Sequence, residues 1–305
     1  MGRFETVDGL LLLNKPAGLT SNQALQKVKR LLRAKKGGHT GSLDPAATGM
    51  LPLCFGEATK VCAFLLDADK TYRVSARLGV ATDTGDGDGA EIETAEVPEL
   101  TNDAWRAILE NFMGDSMQVP PMYSALKKNG RRLYELARKG EVVEREPRPI
   151  RIDEIELLEI AATRLVFRVR CSKGTYIRSL VEDIAKKAGT VAHTARLHRE
   201  TVGDFKATDM LDLTGLEAAA EAGTDDLKAQ LLSPDTALAG FPAVVLDSVA
   251  GARFSSGQEI VAPEGTDEGL VRVYGEENEF RGVGELSKGG NLAPKRVFRT
   301  DEKNP

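Results

Sequence analysis

The loop around Asp44 carries the most suggestive carboxylate of the 305-residue sequence. Asp44 precedes Pro45, which biases its backbone toward an extended conformation, and His39 stands upstream in the same glycine-bounded stretch. A carboxylate is ionised near neutral pH and can attack an electron-poor carbon without help from a base. The same side chain can also hydrogen-bond the backbone of its own turn. Residue types and spacing leave both interpretations open.

Signatures of metal and nucleotide sites are missing from the sequence. His39, His193 and His198 do not cluster with Cys or acids at ligand spacing, so zinc is not predicted. The acidic, glycine-rich segment 83–89 lacks the spacing and the closing Glu of an EF-hand loop. Neither a P-loop nor a dinucleotide fingerprint is present. We therefore predict no metal and no cofactor.

Two regular elements carry further candidate residues. Alternation of apolar and polar residues over 70–78 predicts a half-buried strand with Tyr72 on its apolar face. A second alternating strand over 164–171 is followed by a turn and an amphipathic helix, and Arg178 lies in the first turn of that helix. Both residues are thus expected on regular elements, with Arg178 next to a loop.

The N-terminal part of the chain is predicted to frame the loop of Asp44. Residues 9–13 predict a short buried strand that ends in a turn, and Thr20 and Gln23 form a capping box that predicts the start of a helix. Residues 37–53 break all periodicity and contain four glycines and two prolines. We therefore predict that 37–53 is a structured loop rather than a core element, and such loops commonly carry function.

The basic residues are unevenly distributed along an acidic chain. A net charge of -5 argues against a nucleic-acid partner, since phosphate binders usually carry excess Lys and Arg. However, six basic residues stand without an acid within 27–36, and nine basic residues face four acids within 123–151. Each run is either a solvated helix face or part of an RNA-binding track, and composition alone leaves both open.

The cysteines and the N-terminal residues are used to predict the cellular compartment. The three cysteines form no CxxC pair, and an odd number cannot close a secreted disulfide framework. The chain starts without a signal-peptide pattern, and no apolar run approaches the roughly 20 residues that span a bilayer. We therefore predict a cytoplasmic protein that does not contact membranes.

Several segments, in order from about residue 9 to 240, resemble the TruB-type pseudouridine synthases. The most specific is GHTGSLDPAATG at 38–49, with LP at 51–52 and GEATK at 56–60 after it. The other matching segments are LLNKPAG at 12–18, DKTYR at 69–73, TDT at 82–84 with Asp86, PPMYSA at 120–125 and CSKGTYIR at 171–178. The resemblance implies the α+β pseudouridine synthase fold, a mixed, largely antiparallel sheet flanked by helices.

The same resemblance implies a reaction and its catalytic residues. Pseudouridine synthases cleave the bond between ribose C1′ and uracil N1, turn the base and rejoin it through C5, without cofactor or metal. Asp44 matches the nucleophile of the family and Arg178 matches the arginine that pairs with it. Tyr72 matches the aromatic residue that packs against the base and is proposed to remove the C5 proton. An ordinary core role for Tyr72 stays open.

Further positions match residues that contact the substrate. The substrate-binding candidates are His39, Tyr176, Leu197, Asp86 and Lys15. For Leu197 a plain core role is an equal alternative. The basic residues predicted to reach the RNA backbone are Lys127, Lys128, Arg131 and Arg132.

The predicted domains are a catalytic domain over 1–240 and a small β-rich, PUA-like RNA-binding domain over 241–305. The boundary rests on a Pro-containing connector before residue 242 and on strand patterns beyond it. Within the catalytic domain, the basic stretch 118–149 is predicted to be a surface insertion similar to the tRNA-gripping thumb of stand-alone enzymes.

The resemblance implies the T-arm of tRNA as the partner, and a target uridine inside that folded loop must be flipped out before it can react. No obligate protein partner is expected. Two alternatives stay open: a subunit of an RNA-guided pseudouridine synthase, and a tRNA-binding folding chaperone in which catalysis is secondary.

Overall fold

The structure is a computed structural model that describes residues 4–128, 130–263 and 265–299. The helices are α1 Ser21–Leu31, α2 Cys62–Asp67, α3 Asn102–Glu110, α4 Leu133–Ala137, α5 Ile177–Ala188, α6 Leu213–Ala222, α7 Thr224–Lys228 and α8 Ser248–Ser255. The strands up to residue 212 are β1 Gly9–Lys15, β2 Gly37–His39, β3 Thr48–Phe55, β4 Lys70–Leu78, β5 Val80–Thr82, β6 Glu91–Thr94, β7 Gly114–Gln118, β8 Lys127–Lys128, β9 Arg131–Arg132, β10 Arg148–Ala161, β11 Arg164–Cys171, β12 Ala192–Val202 and β13 Leu211–Asp212. The later strands are β14 Ala243–Val245, β15 Ile260–Val261, β16 Gly269–Tyr274, β17 Phe280–Leu286 and β18 Asn291–Val297.

A nine-stranded mixed sheet forms the scaffold of the larger part of the chain. Its strand order is β13-β1-β3-β12-β4-β11-β10-β7, and β2 pairs with β3 beside this path. The pairs β1–β13 and β3–β12 are parallel, whereas the other neighbours in the sheet are antiparallel. The sheet is thus mixed and largely antiparallel, as predicted.

Two hydrophobic clusters pack against this sheet. One includes Trp105 of α3 and Ile184 of α5, and the other includes Val28 of α1 and Leu216 of α6. Helices therefore cover the sheet, which confirms the predicted α+β class. Tyr72 contacts both clusters, so it lies at the seam between them.

The segment 37–53 was predicted to be one structured loop, but the structure shows two strands in this part of the chain. Residues 37–39 form β2, and Thr48–Phe55 form β3, which is almost fully buried. Only 40–47 lacks regular structure. The prediction failed because a strand in the centre of a sheet is apolar along its whole length and shows no alternation, and because Gly49 and Pro52 resembled loop residues.

The other elements predicted near the candidate site are confirmed. The capping box of Thr20 and Gln23 is present at the start of α1. Strands β4 and β11 occupy the ranges that alternation predicted, and they pair with each other. Helix α5 ends at Gly189, whose φ of 85° is a left-handed conformation that favours glycine. Among the described helices, none combines the length and the apolar character needed to cross a membrane.

The basic insertion 118–149 forms a small unit of its own. Strands β8 and β9 pair as a two-stranded hairpin, and the short α4 follows them. Leu133 and Leu136 of α4 are buried, which fixes the base of this insertion.

The C-terminal part contains a five-stranded sheet in the order β14-β16-β17-β18-β15. Strands β16 and β17 pair as an antiparallel hairpin. Helix α8 was not predicted, because it buries few apolar residues, among them Phe254. The Lys60 ammonium donates to the backbone oxygen of Val297 at 2.7 Å, and the Arg299 backbone N–H donates to the Glu57 carboxylate at 2.9 Å. These bonds join this sheet to the larger part.

Candidate active site

An ion pair between Asp44 and Arg178 is the centre of the candidate site. Asp44 lies in the irregular segment 40–47, between β2 and β3, and Arg178 lies in the first turn of α5. Arg178 Nε is 3.1 Å from Asp44 Oδ2, and Arg178 Nη2 is 3.4 Å from Asp44 Oδ1. The guanidinium thus faces both oxygens of the carboxylate, a geometry that fixes its orientation. Among the described residues, no hydrogen bond joins this carboxylate to its own turn.

Arg178 is itself held by other groups. Its side chain is only 7% exposed. Nη1 donates to the backbone oxygen of Thr84 at 2.8 Å and lies 3.4 Å from Asp86 Oδ2, and Nη2 donates to the backbone oxygen of Tyr123 at 2.7 Å. Because these contacts come from two segments and Asp44 lies on a third, the guanidinium has little freedom to rotate. It is therefore a rigid support for Asp44.

The environment of Asp44 affects its ionisation. Desolvation by the surrounding protein raises the pKa of the carboxyl, and the charges of Asp86 and Asp88 raise it further. Arg178 and Lys15 act in the opposite direction and lower this pKa. Burial dominates, so the pKa of Asp44 lies above its ordinary value. The ionised carboxylate is consequently less stable than one in water.

Tyr72 lies on β4 directly opposite Arg199 of β12. Burial raises the pKa of its phenol, and the charge of the Arg199 guanidinium partly offsets this. Asp44 is close enough for its negative charge to raise the same pKa slightly. The structure therefore brings Tyr72 to the site of Asp44 and Arg178.

His39 is placed at the end of β2, just before the segment of Asp44. Its Nδ1 atom is buried and has no hydrogen-bond partner among the residues that the structure describes. Burial lowers the pKa of its imidazole, and the nearby charge of Arg199 lowers it further. His39 is therefore held neutral, with a polar atom left available.

Asp86 stands on the other side of Arg178. Its Oδ1 atom accepts hydrogen bonds from the Thr84 hydroxyl at 2.6 Å and from the Asp88 backbone N–H at 3.2 Å. Its Oδ2 atom is the one that faces Arg178. The structure thus brings Asp86 to the ion pair as a second carboxylate on the same guanidinium.

Lys15 is not exposed to the site, although it was expected among the substrate contacts. Its side chain is fully buried, and its ammonium donates to the backbone oxygens of Pro16, Leu19 and Pro45 at 2.8, 2.8 and 3.2 Å. Burial lowers its pKa to about 8. All three donors of the ammonium are used on carbonyls. Lys15 therefore holds the residue that follows Asp44 instead of presenting a charge to solvent.

Tyr176 and Leu197 border the site from two elements. Tyr176 is the residue before α5, and Gln118 clamps its backbone with two hydrogen bonds, at 2.8 and 3.0 Å. Leu197 lies opposite Val74 of β4 and contacts both hydrophobic clusters. Tyr176 is thus fixed through its backbone, while Leu197 combines a core position with a position beside Tyr72.

The four basic residues predicted to reach RNA stand on the hairpin of β8 and β9. Lys127 pairs with Arg132 and Lys128 pairs with Arg131, and all four side chains are exposed. Their protein contacts are with acceptors on the insertion itself, such as Glu141, which is 3.8 Å from Arg131. The hairpin therefore presents four positive charges to solvent. No group of three or more metal-ligating side chains gathers among the described residues.

Three segments of the chain match family models. Residues 29–177 match the TruB family pseudouridylate synthase N-terminal domain, 178–239 match the tRNA pseudouridylate synthase B C-terminal domain, and 242–298 match the C-terminal domain of pseudouridine synthase II TruB. Curated relatives named tRNA pseudouridine synthase B include those of Dechloromonas aromatica (strain RCB), 50% identical over 296 residues, and Stutzerimonas stutzeri (strain A1501), 48% identical over 296 residues. Each alignment covers 97% of this chain and 97% of the relative.

The chain belongs to the TruB family of pseudouridylate synthases.

Solved structures agree with this membership. A crystal structure of a Cbf5-Nop10-Gar1 complex matches with a TM-score of 0.75 and 26% identity, covering 95% of this chain and 85% of that one. The archaeal box H/ACA sRNP Nop10-Cbf5 complex matches with a TM-score of 0.73 and 25% identity, covering 97% and 88%. The expected pseudouridine synthase fold with a small C-terminal β domain is thereby confirmed.

Two residues of this TruB-family site were missed by sequence reasoning. Gln118 is buried and clamps Tyr176, but a single Gln at the edge of a polar segment carries no pattern. Arg199 is buried beside Tyr72 and the segment 40–47. Its place on a strand between other polar residues made it indistinguishable from an exposed charge. The resemblance segments stopped short of both residues.

Proposed function

We propose that this chain isomerises a uridine in the T-loop of tRNA to pseudouridine, with Asp44 as the nucleophile and without cofactor, metal or guide RNA. The observation that carries the proposal is the two-pronged pairing of Arg178 with Asp44 at 3.1 and 3.4 Å. The names of the curated relatives support tRNA as the substrate.

The pairing with Arg178 gives Asp44 the properties of a nucleophile. The guanidinium opposes the effect of burial on the carboxyl pKa and therefore favours the ionised form. It also fixes the direction of the carboxylate oxygens toward a bound nucleotide. Burial removes part of the hydration shell, so the carboxylate reacts from a less stabilised state.

Tyr72 is proposed to act after the base has been rejoined through C5. A phenol has a pKa of about 10 and is a poor base at neutral pH, so proton removal needs help from its surroundings. The adjacent Arg199 guanidinium supplies a positive charge that favours the ionised phenol. Leu197 and Tyr176 are proposed to form the walls against which the uracil stacks, and His39 is proposed to contact the flipped nucleotide.

Binding of the tRNA backbone is assigned to the basic hairpin of β8 and β9. Flipping a uridine out of a folded loop costs a few kcal/mol of unstacking, and phosphate contacts can offset that cost. The hairpin of β8 and β9 offers four exposed basic side chains for this purpose.

We assign 1–240 to the catalytic domain, with 118–149 as its thumb-like insertion, and 241–305 to a PUA-like RNA-binding domain. tRNA as the substrate and the free thiols of Cys54, Cys62 and Cys171 favour action in the cytoplasm.

The proposal is tested with purified protein and an unmodified tRNA transcript, without guide RNA or other proteins. The RNA is treated with a reagent that derivatises pseudouridine, and the modified nucleotide is located by mass mapping. We expect one pseudouridine per tRNA, in the T-loop. A pseudouridine found elsewhere would contradict the assigned position.

An RNA-guided role is the second candidate, because the chain resembles Cbf5 structures over nearly its full length. Identity to relatives named tRNA pseudouridine synthase B is higher, at 48% against 26%. In the experiment above, activity that appears only after guide RNA and partner proteins are added would establish the guided role. A chaperone function would be indicated by improved tRNA folding that survives the loss of catalysis in an Asp44→Asn variant.

A further inference from the structure

Arg199 occupies the centre of the sheet beneath the candidate active site. It lies on β12, in register with Gly49 of β3 on one side and with Tyr72 of β4 on the other. Its side chain is 1% exposed, so it cannot contact solvent or a macromolecule directly. Any effect it has on the reaction must therefore pass through neighbouring residues.

The Arg199 guanidinium binds the chain on both sides of Asp44. Nε donates to the backbone oxygen of Met50 at 2.6 Å, and Nη2 donates to the backbone oxygen of Gly41 at 3.0 Å. Gly41 lies before Asp44 and Met50 after it, so one side chain ties together the two ends of the segment that carries the carboxylate. This clamp restricts the positions that Asp44 can take relative to β4 and β12.

The charge of Arg199 is buried without an acidic partner among the described residues. The ion pairs found there involve other arginines, such as Arg178 and Arg168, whose carboxylate partners lie within 4 Å. A buried charge that has only carbonyl partners is costly, and a neutral donor could satisfy the same two carbonyls. The positive charge itself is therefore the property to be explained.

Four groups at the site respond to this charge. It lowers the pKa of Lys15, His39 and Lys70, in each case after the larger effect of burial. For Tyr72, burial raises the pKa and the charge of Arg199 lowers it, whereas Cys171 and Asp44 raise it. Arg199 is thus the group that favours ionisation of this phenol.

We propose that Arg199 is a positioning residue that clamps both ends of the Asp44 segment and directs its charge at the Tyr72 oxygen while that oxygen removes the C5 proton. The inference rests on the proposed function, since it assigns the C5 proton to Tyr72.

The proton transfer at C5 starts from the base after it has been rejoined to the ribose through C5. The C5–H bond breaks, and the proton goes to the ionised oxygen of Tyr72. The electron pair of that bond forms the C5=C6 double bond, and the C6=N1 pair moves to N1, which takes a proton from water. Tyr72 returns its proton to water before the next turnover. Arg199 stays charged throughout and stabilises the phenolate before it accepts the proton.

The test compares Arg199→Gln and Arg199→Lys with Arg196→Gln, an exposed position on the same strand. Each variant converts tRNA under single-turnover conditions at saturating enzyme, with the target uridine carrying either hydrogen or deuterium at C5. Melting temperature and tRNA affinity are measured for every variant. If Arg199→Gln does not fold, Arg199→Lys is compared with the wild type instead. This variant keeps the charge but loses the fork of donors.

We expect Arg199→Gln to slow the reaction about tenfold or more, equivalent to about 1.4 kcal/mol. We also expect its deuterium isotope effect to exceed that of the wild type, because removal of the C5 proton becomes more rate-limiting. Arg199→Lys should be intermediate in both, and Arg196→Gln should stay within about twofold of the wild type.

A rate for Arg199→Gln within twofold of the wild type would overturn the inference, as would a slow reaction with an unchanged isotope effect, which indicates a merely structural role. Failure of the proposed function is distinguishable, because Asp44→Asn or Tyr72→Phe would then remain active. If those two variants are inactive while Arg199→Gln behaves like the wild type, only the role of Arg199 is lost.

Discussion

At the scale of single residues, the site depends on two buried arginines with different partners. Arg178 pairs with the carboxylates of Asp44 and Asp86, while Arg199 donates to backbone carbonyls on both sides of Asp44. One guanidinium faces the carboxylate that we propose to react, and the other joins the two ends of the segment that carries it. Because Arg presents several donors in a rigid plane, Lys is a poor replacement at both positions.

Changing Arg178 to Lys should reduce the single-turnover rate by about two orders of magnitude, corresponding to about 2.7 kcal/mol of barrier. An ammonium cannot face both oxygens of Asp44 and still reach the carbonyls of Thr84 and Tyr123. The rate is measured at saturating enzyme on a tRNA transcript, with Arg168→Lys as the control, a half-buried arginine that pairs with Glu156 and Glu200. A rate within a few fold of the wild type would remove the ion pair from the mechanism.

Changing Asp44 to Asn should alter stability in a pH-dependent way. The pKa of Asp44 is raised in the folded protein, so the native state binds more protons than the unfolded state as the pH rises above about 4, the ordinary value. Ionisation of Asp44 therefore costs stability at neutral pH, and below the ordinary pKa this cost is absent. Urea unfolding is measured at pH 7 and at a pH below about 4. The free energy of unfolding of Asp44→Asn, relative to that of the wild type, should be more favourable at pH 7 than at the lower pH. A difference that is larger at low pH would mean that the native state stabilises the charge.

At the scale of elements, the site depends on how closely β3 approaches β12. Gly49 of β3 has a φ of 101°, and a Cβ atom there would lie 2.3 Å from the backbone oxygen of Arg199. Only glycine fits this contact. The approach also brings the carbonyl of Met50 onto the Arg199 guanidinium.

Changing Gly49 to Ala should lower the free energy of unfolding by about 2–5 kcal/mol, through overpacking and backbone strain together. Gly189→Ala is the control, because its φ of 85° is similar but no atom lies within 4 Å of the added Cβ. That variant should lose only about 1 kcal/mol. Equal losses in urea unfolding would show that strain, not the strand contact, accounts for the effect.

The strands and helices around the site show which parts of the fold could be predicted from the sequence and which could not. Alternation located β4 and β11, and the capping box located α1, because both patterns are local. Strand β3 was missed because complete burial on both faces removes any alternation. Asp44, Arg178 and Tyr72 were predicted through resemblance, but the burial of Lys15 and the contacts of Arg199 depend on segments that are distant in the sequence.

At the scale of the whole molecule, an acidic protein presents a local basic surface. The net charge is -5, yet the hairpin of β8 and β9 exposes four basic side chains on an insertion away from the sheet. Association with a polyanion depends on local charge, because charges beyond about 10 Å are screened at ordinary ionic strength.

Changing Lys127, Lys128, Arg131 and Arg132 together to Ala should weaken tRNA binding and its salt dependence. Each phosphate contact contributes about 0.7 to 0.9 to the slope of log affinity against log salt, so four contacts would flatten it by about three units. The rate at saturating RNA should change much less, since Asp44 and its partners are untouched. The measurement is a salt titration of tRNA affinity, and an unchanged slope with a collapsed rate would mean that the hairpin shapes the active site instead.

Asp44→Asn tests most directly whether Asp44 is the nucleophile. The amide keeps the shape of the side chain but loses the charge that attacks the nucleotide. Wild type and variant are compared for pseudouridine formation in a single turnover and for tRNA affinity. We predict that the variant forms no detectable pseudouridine while its affinity stays within several fold of the wild type. A rate above about a tenth of the wild-type rate would contradict the assignment of Asp44 as the nucleophile.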